Sequence, residues 1–422
     1  MAIQLQPGIQ LTVIPTEKYK TIRIFIRFSA KHSEQTAAKR TLLTSLLETN
    51  SLHYPDQTAL STKLAELYGA SFGLNVGKKG NLHQVNVSMS LVNGKYIGNP
   101  EVFNEGIAFL KEILFYPNIQ DGRFEEETFQ LEKENLTAYL HSLREDKQTL
   151  ASLRLQELYF GEDADQKIPS FGSIATLEGA TAAELAATYQ SMLAEDQIDL
   201  FVVGDLQEAD VLAAFADWEF PQTVREQPAI FYHQPLTAAV KEEFLHEPVT
   251  QAKLNIGFQT SIYYGDPRRF ALMVFNGLFG GLPHSKLFMN VRERAGLAYY
   301  ASSSVDTFRG FVSVQTGIDS RNRERVLTLI KEQLASLCQG DFTEAEIAQT
   351  KAMLRNQFLL SLDNPQALIE TAYLNQRLPE TLLTEEAFLA ALMAVTKEEI
   401  QEAANDIKLQ AIFVLDGEVE HE

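Results

Sequence analysis

Arg292 and Tyr299 stand seven residues apart in Ser285-Lys-Leu-Phe-Met-Asn-Val-Arg292-Glu-Arg-Ala-Gly-Leu-Ala-Tyr299. A guanidinium is a rigid fork of donors and a phenol is a neutral donor at neutral pH, so the two types suit the recognition of oxygen acceptors. Their spacing puts the arginine near a helix end and the tyrosine beyond a cap at Gly296, on an emerging strand, from which both can face one cleft. The same spacing equally fits a surface arginine and a half-buried tyrosine. Other chemistry is sparse. The eight histidines, at positions 32, 53, 83, 141, 233, 246, 284 and 421, include no pair three or four residues apart that would put two imidazoles on one helix face. Each reads as an ordinary surface or core residue. Gly277, Gly280 and Gly281 are not followed by the Lys-Ser/Thr of a phosphate loop, and a turn between helices explains them better. Phe231, Tyr232, Tyr263 and Tyr264 read as packing more readily than as an interface.

The elements that must hold these residues follow from apolar periodicity. Ile22, Ile24, Ile26 and Phe28 share one face of a strand, Leu42, Leu43, Leu46 and Leu47 recur at helical spacing in a helix over 36–50, and a second helix over 58–67 ends at Gly69. Val85, Val87, Met89 and Leu91 then alternate with Asn86, Ser88 and Ser90 as a strand. The order recurs downstream. Leu254, Ile256 and Phe258 mark a strand, and Asp266-Pro267 supplies an N-cap and a first helical residue. A second helix over 285–294 follows, then strands over 299–304 and 311–317. Each series closes alike: Thr181-x-x-Glu184 and Thr396-x-x-Glu399 are capping boxes that open helices before apolar strands at 200–203 and 411–415. The expectation is an α+β protein of two homologous halves, 1–219 and 249–422, each a mostly antiparallel sheet with helices packed on one face. An extended linker over 220–248, interrupted by Pro221, Pro228, Pro235 and Pro248, would join them.

Composition sets the outer limits. With 422 residues, the chain is long enough for two cores that need neither disulfides nor metals. The single cysteine, Cys338, excludes an internal disulfide and fits a reducing compartment. The first residues lack the basic and apolar regions of a signal peptide, and no apolar run is long enough to span a bilayer. A cytoplasmic protein with no membrane partner is expected. A net charge of −20 argues against nucleic acid, whose binding relies on clustered Lys and Arg.

With Leu287-Phe288, Val291-Arg292-Glu293 and Gly296-Leu297-Ala298-Tyr299, the segment around Arg292 resembles the substrate-binding signature of the pitrilysin/insulinase family of zinc metallopeptidases. The duplicated order of elements extends the resemblance over essentially the whole chain, and the overall likeness is to the family's noncatalytic branch in Gram-positive bacteria. The resemblance implies that two such chains close around an unfolded peptide, which adds a strand to a sheet edge. It also implies that Arg292 donates to the peptide backbone, while the Tyr299 hydroxyl points at the scissile carbonyl and helps hold the oxyanion. In active relatives the first long helix carries H-x-x-E-H: two histidines bind zinc and the glutamate activates water. The matching stretch here is Leu42-Leu-Thr-Ser45-Leu-Leu-Glu48-Thr49, so Glu48 survives while Ser45 and Thr49 replace the ligands. The third ligand of relatives, a glutamate on a later helix, aligns with Ala138 or Tyr139, close to Glu125, Glu126, Glu127, Glu132 and Glu134. On the residues alone, Glu48 is a solvated helix residue. Noncatalytic mitochondrial relatives handle substrate with a glycine-rich loop in the region of Gly277 to Gly281, and the stretch here is shorter.

The function expected from this resemblance is a noncatalytic, peptide-holding subunit of a two-chain metalloendopeptidase, not a peptidase on its own. The chain itself would carry no cofactor. Its heterodimer partner would supply H-x-x-E-H and the zinc, and this chain would supply Arg292 and Tyr299. The alternative from a different class is a peptide-binding or scaffold protein with no proteolytic role. A third, an active enzyme with an unrecognised metal site, is separated from both by metal analysis.

Overall fold

A computed structural model describes residues 2–417. The first sheet contains β1 (Ala2–Gln6), β2 (Ile9–Pro15), β3 (Thr21–Lys31), β4 (Ser71–Lys79), β5 (Leu82–Val92) and β6 (Gln197–Gly204), in the order β1-β2-β6-β3-β5-β4. β2 and β6 run parallel and the other neighbours antiparallel. The second sheet contains β7 (Lys241–His246), β8 (Ala252–Gln259), β9 (Ala298–Asp306), β10 (Phe311–Ile318) and β11 (Lys408–Asp416), in the order β9-β10-β8-β11-β7. Here β7 and β11 are the parallel pair. β4 and β9 are therefore edge strands, each with one row of backbone donors and acceptors that no neighbouring strand pairs.

Six helices matter below: α1 (Glu34–Thr49), α2 (Glu126–Ser142), α3 (Lys147–Phe160), α4 (Arg269–Asn276), α5 (Glu344–Ser361) and α6 (Pro365–Arg377). The even positions of β3, from Ile22 to Phe28, are buried together with Leu42, Leu43, Leu46 and Leu47 of α1. Burial of each such side chain is worth roughly 1.5–3 kcal/mol. Both capping boxes form, with Glu184 N 3.2 Å from Thr181 Oγ1 and Glu399 N 3.2 Å from Thr396 Oγ1. Mostly antiparallel sheets backed by helices are thus what the alternation and spacing produce.

Each sheet also receives one helix on its other face, from the opposite half of the sequence. On β3 the odd position Arg27 is buried and donates from Nε to Asn86 Oδ1 at 2.9 Å, while its Nη2 bonds Glu370 of α6. Its guanidinium lies 4.4 Å from the Tyr373 ring centroid. In the second sheet, α3 places Ser152 Oγ 3.1 Å from Gln315 Nε2 and the Tyr159 ring 4.4 Å from that of Phe311. Both exchanged helices start on a side-chain cap, Asp146 for α3 and Asn364 for α6. The two compact units are consequently discontinuous: of the described residues, 2–141, Ile168–Ile230 and Leu362–Arg377 form one, and Ser142–Lys167, Phe231–Ser361 and 378–417 the other. Within the stretch expected as a linker, Lys241–His246 is the strand β7 of the second sheet.

The helix expected to begin at Asp266-Pro267 starts at Arg269. Asp266 spends its carboxylate on the Arg268 backbone amide and guanidinium, closing a turn before the helix. Among the described residues, no helix is long and apolar enough to cross a membrane.

Candidate functional site

In the first unit, Ser45, Glu48 and Thr49 fall at i, i+3 and i+4 on the partly exposed face of α1, opposite its buried leucines. Thr49 Oγ1 lies 2.9 Å from Ser45 O and 2.9 Å from Glu132 Oε1 of α2, so its single proton serves one or both. Glu48 Oε1 accepts a hydrogen bond from the Leu74 amide of β4. Burial pushes the Glu48 carboxyl above its ordinary value, against the Leu74 amide, and the nearby Glu132 charge adds to the rise. The position facing α1 on the later helix is therefore Glu132, not Ala138 or Tyr139, which are exposed. Seven residues are two helical turns, about 10 Å, so an alignment that slides by two turns keeps the same helix face and loses the contact.

This donor set does not fit zinc. Ser45 and Thr49 offer neutral hydroxyls and no imidazole, the Thr49 hydroxyl is engaged with Glu132, and Glu48 is turned to a backbone amide. Among the described residues, no group of three His, Cys, Asp or Glu side chains could hold a metal ion. His421 lies outside the described residues. The sequence gives no sign of the Leu74 amide, because a contact across many residues leaves no local pattern.

In the second unit the helix over Leu287–Arg294 is wound as a π-helix, a form frequent at functional sites. Val291 anchors it in the core. The helix ends at Gly296, whose φ of 63° takes the left-handed conformation that lets Gly296 N and Leu297 N bond back to Arg292 O and Val291 O. Arg292 is half-buried, its guanidinium 4.6 Å from the Phe288 ring centroid and 3.6 Å from Glu293 Oε1. Tyr299 follows on edge strand β9. Ala298 pairs with Ile318 and Tyr300 with Gly317, so Tyr299 is the extra residue of a bulge. Bulges re-aim side chains, and Tyr299 is 64% exposed. Its neighbour Tyr300 is instead tied down by Gln148 of α3, and burial with the Asp146 charge pushes its phenol up to about 12.

The glycines before this segment serve close approach. A Cβ on Gly280 would lie 2.6 Å from Ser303 N of β9, and one on Gly277 would lie 2.7 Å from Thr350 Cγ2 of α5. Phe231 and Tyr264 both stack on Phe308, and Phe231 meets Tyr263 edge-on, so these aromatics pack on one another.

Comparison with known proteins matches residues 179–354 to the family model described as the Peptidase M16 inactive domain. Over 413 residues, 97% of this chain and 96% of the relative, the sequence is 37% identical to the probable inactive metalloprotease YmfF of Bacillus subtilis (strain 168). The chain belongs to the M16 peptidase family. M16 is the pitrilysin/insulinase family, and within it this chain is an inactive-type homologue. A crystal structure of a conserved protein from Enterococcus faecalis V583 is 57% identical and superposes with a TM-score of 0.95, covering 100% of this chain and 99% of that one. A peptidase M16 inactive domain from Pseudomonas fluorescens, 19% identical with a TM-score of 0.80 over 100% and 99% of the two chains, shares the M16 fold.

Proposed function

We propose that this M16 chain is the noncatalytic, peptide-holding subunit of a two-chain zinc metallopeptidase. Its partner carries H-x-x-E-H and the zinc; this chain binds no metal and acts in the cytoplasm as half of a heterodimer. Arg292 holds the peptide backbone and Tyr299 donates to the oxyanion that forms when the partner's water attacks. The observation that carries the reading is Tyr299, whose phenol is held out to solvent by a bulge in an edge strand while the adjacent Tyr300 does the packing. Removing it should therefore cost activity and not stability. The test is to mix the chain with an H-x-x-E-H homologue, follow association by light scattering, and assay peptide hydrolysis.

A peptide-binding scaffold with no proteolytic role is the second reading, and one observation favours it. The bond from Leu74 N to Glu48 withdraws a donor on the open edge of β4, where an added strand would need it. Persistent separation of the two chains at micromolar concentration would favour the scaffold.

A further inference from the structure

The second unit holds a cavity of about 330 Å³ between α4, α5 and the end of β9. Arg269, Leu272, Met273 and Asn276 line it at i, i+3, i+4 and i+7, one continuous face of α4. Leu354 of α5 and Val305 of β9 close the apolar wall. Ligand sites run from roughly 300 to 1,000 Å³, so this one has room for a single small group and none for an extended polymer. α4 follows β8 as α1 follows β3, so the cavity occupies in this half's order of elements the place that Ser45, Glu48 and Thr49 have in the first.

Among the described residues, Arg269 is the one charge on the cavity lining. It donates from Nη1 to Tyr264 O at 2.8 Å and from Nη2 to Thr381 O at 3.4 Å, and its guanidinium lies 4.9 Å from the Tyr264 ring centroid and 5.0 Å from that of Phe270. These contacts fix the fork in place and leave it donors to spare, since a guanidinium has five. The nearest acid in sequence, Asp266, is paired with Arg268 at 2.6 Å. A cation held by two rings and two carbonyls beside a small cavity whose lining is mostly apolar, with Asn276, Thr307 and Gln357 as its polar side chains besides Tyr264, selects, in a chain of net charge −20, an anion with an apolar body.

We propose that this cavity binds a small apolar carboxylate, with a branched or aromatic group of about leucine size inside and the carboxylate on Arg269. Two sources share that chemistry, a free short-chain acid and the C-terminal residue of a peptide. The inference does not depend on the two-chain reading, because it concerns the isolated chain.

Calorimetric titration of the isolated chain tests it, with 4-methylpentanoate and its amide as one pair of probes and Ala-Ala-Ala-Leu with a free or amidated C-terminus as the other. At least one acid binds, and its amide binds roughly tenfold or more weakly, because a charge-assisted bond to Arg269 is lost. Binding of the free acid alone assigns the site to small acids; binding of the peptide acid at least as tightly assigns it to peptide ends. Arg269→Gln abolishes the difference between acid and amide. Leu354→Phe, which fills the cavity without touching Arg269, weakens every acid roughly tenfold while circular dichroism stays unchanged. Amides that bind as well as acids, acids that bind Leu354→Phe as well as the parent, or no binding of either acid up to about 10 mM overturns the proposal.

Discussion

Thr49 Oγ1 and Glu132 Oε1 face each other across 2.9 Å, a hydroxyl of α1 hydrogen-bonded to a carboxylate of α2. The contact fixes the Glu132 carboxylate beside the face of α1 that carries Ser45 and Thr49.

Imidazoles at positions 45 and 49 should therefore create a metal site. Ser45→His with Thr49→His places two ring nitrogens beside Glu132, and three protein ligands with a fourth open position is the arrangement of a catalytic zinc. Elemental analysis should find about one zinc per chain in the double variant and none in the parent. Adding Glu132→Gln should remove it. Unchanged zinc content in that triple variant would show that Glu132 is not the third ligand position.

Glu370→Ala should destabilise the first unit by about 3 kcal/mol, the low end of the cost of breaking a buried ion pair, because Arg27 is 2% exposed and loses its carboxylate partner. Replacing both, Arg27→Met with Glu370→Leu, should recover most of the loss. Denaturant unfolding measures each, and equal losses for the single and double variants would refute the pair as the reason α6 docks.

Asp199, on the same polar face of the first sheet, gives a pH signature. Burial pushes its carboxyl from 3.8 to about 6, against the Arg377 and Arg27 charges. Between those values the folded state keeps a proton that the unfolded state has released, so stability falls as pH rises from 3.8 through about 6. The effect is on the order of 3 kcal/mol. Asp199→Asn should flatten that part of the stability curve, and a wild-type slope that survives in the variant must come from another group.

The duplicated architecture was legible because its signals are local. Alternation from Ile22 to Phe28 marks a two-faced strand, and Thr181/Glu184 and Thr396/Glu399 each mark a helix start within four residues. Exchange of α3 and α6 was not legible, since an apolar stripe says that a helix must be covered and not by which sheet. β7 was hidden for a different reason. It is a charged edge strand, Lys241-Glu-Glu-Phe-Leu-His246, whose Phe244 lies on the exposed phase and is met by the Arg323 guanidinium 5.1 Å from its ring. Of the candidate site, Ser45, Glu48 and Thr49 could be placed because a helix fixes their shared face. Glu132 could not, because periodicity along α2 does not distinguish positions two turns apart.

Arg292 should act through substrate binding in the reconstituted complex. Its proposed contact is to peptide backbone present before and during reaction, so Arg292→Ala should chiefly raise KM, with a smaller loss in kcat from misplaced substrate. A fall in kcat with KM unchanged would place it at the reacting atoms instead.

The central claim is tested most directly by kcat for peptide hydrolysis in an equimolar complex of this chain with its H-x-x-E-H partner, comparing wild type with Tyr299→Phe. Loss of one donor to the oxyanion predicts a kcat roughly 10²- to 10³-fold lower, with peptide affinity and folding unchanged. An unchanged kcat in a complex whose partner retains its zinc would contradict the account, and Tyr299 would be a surface residue of a scaffold.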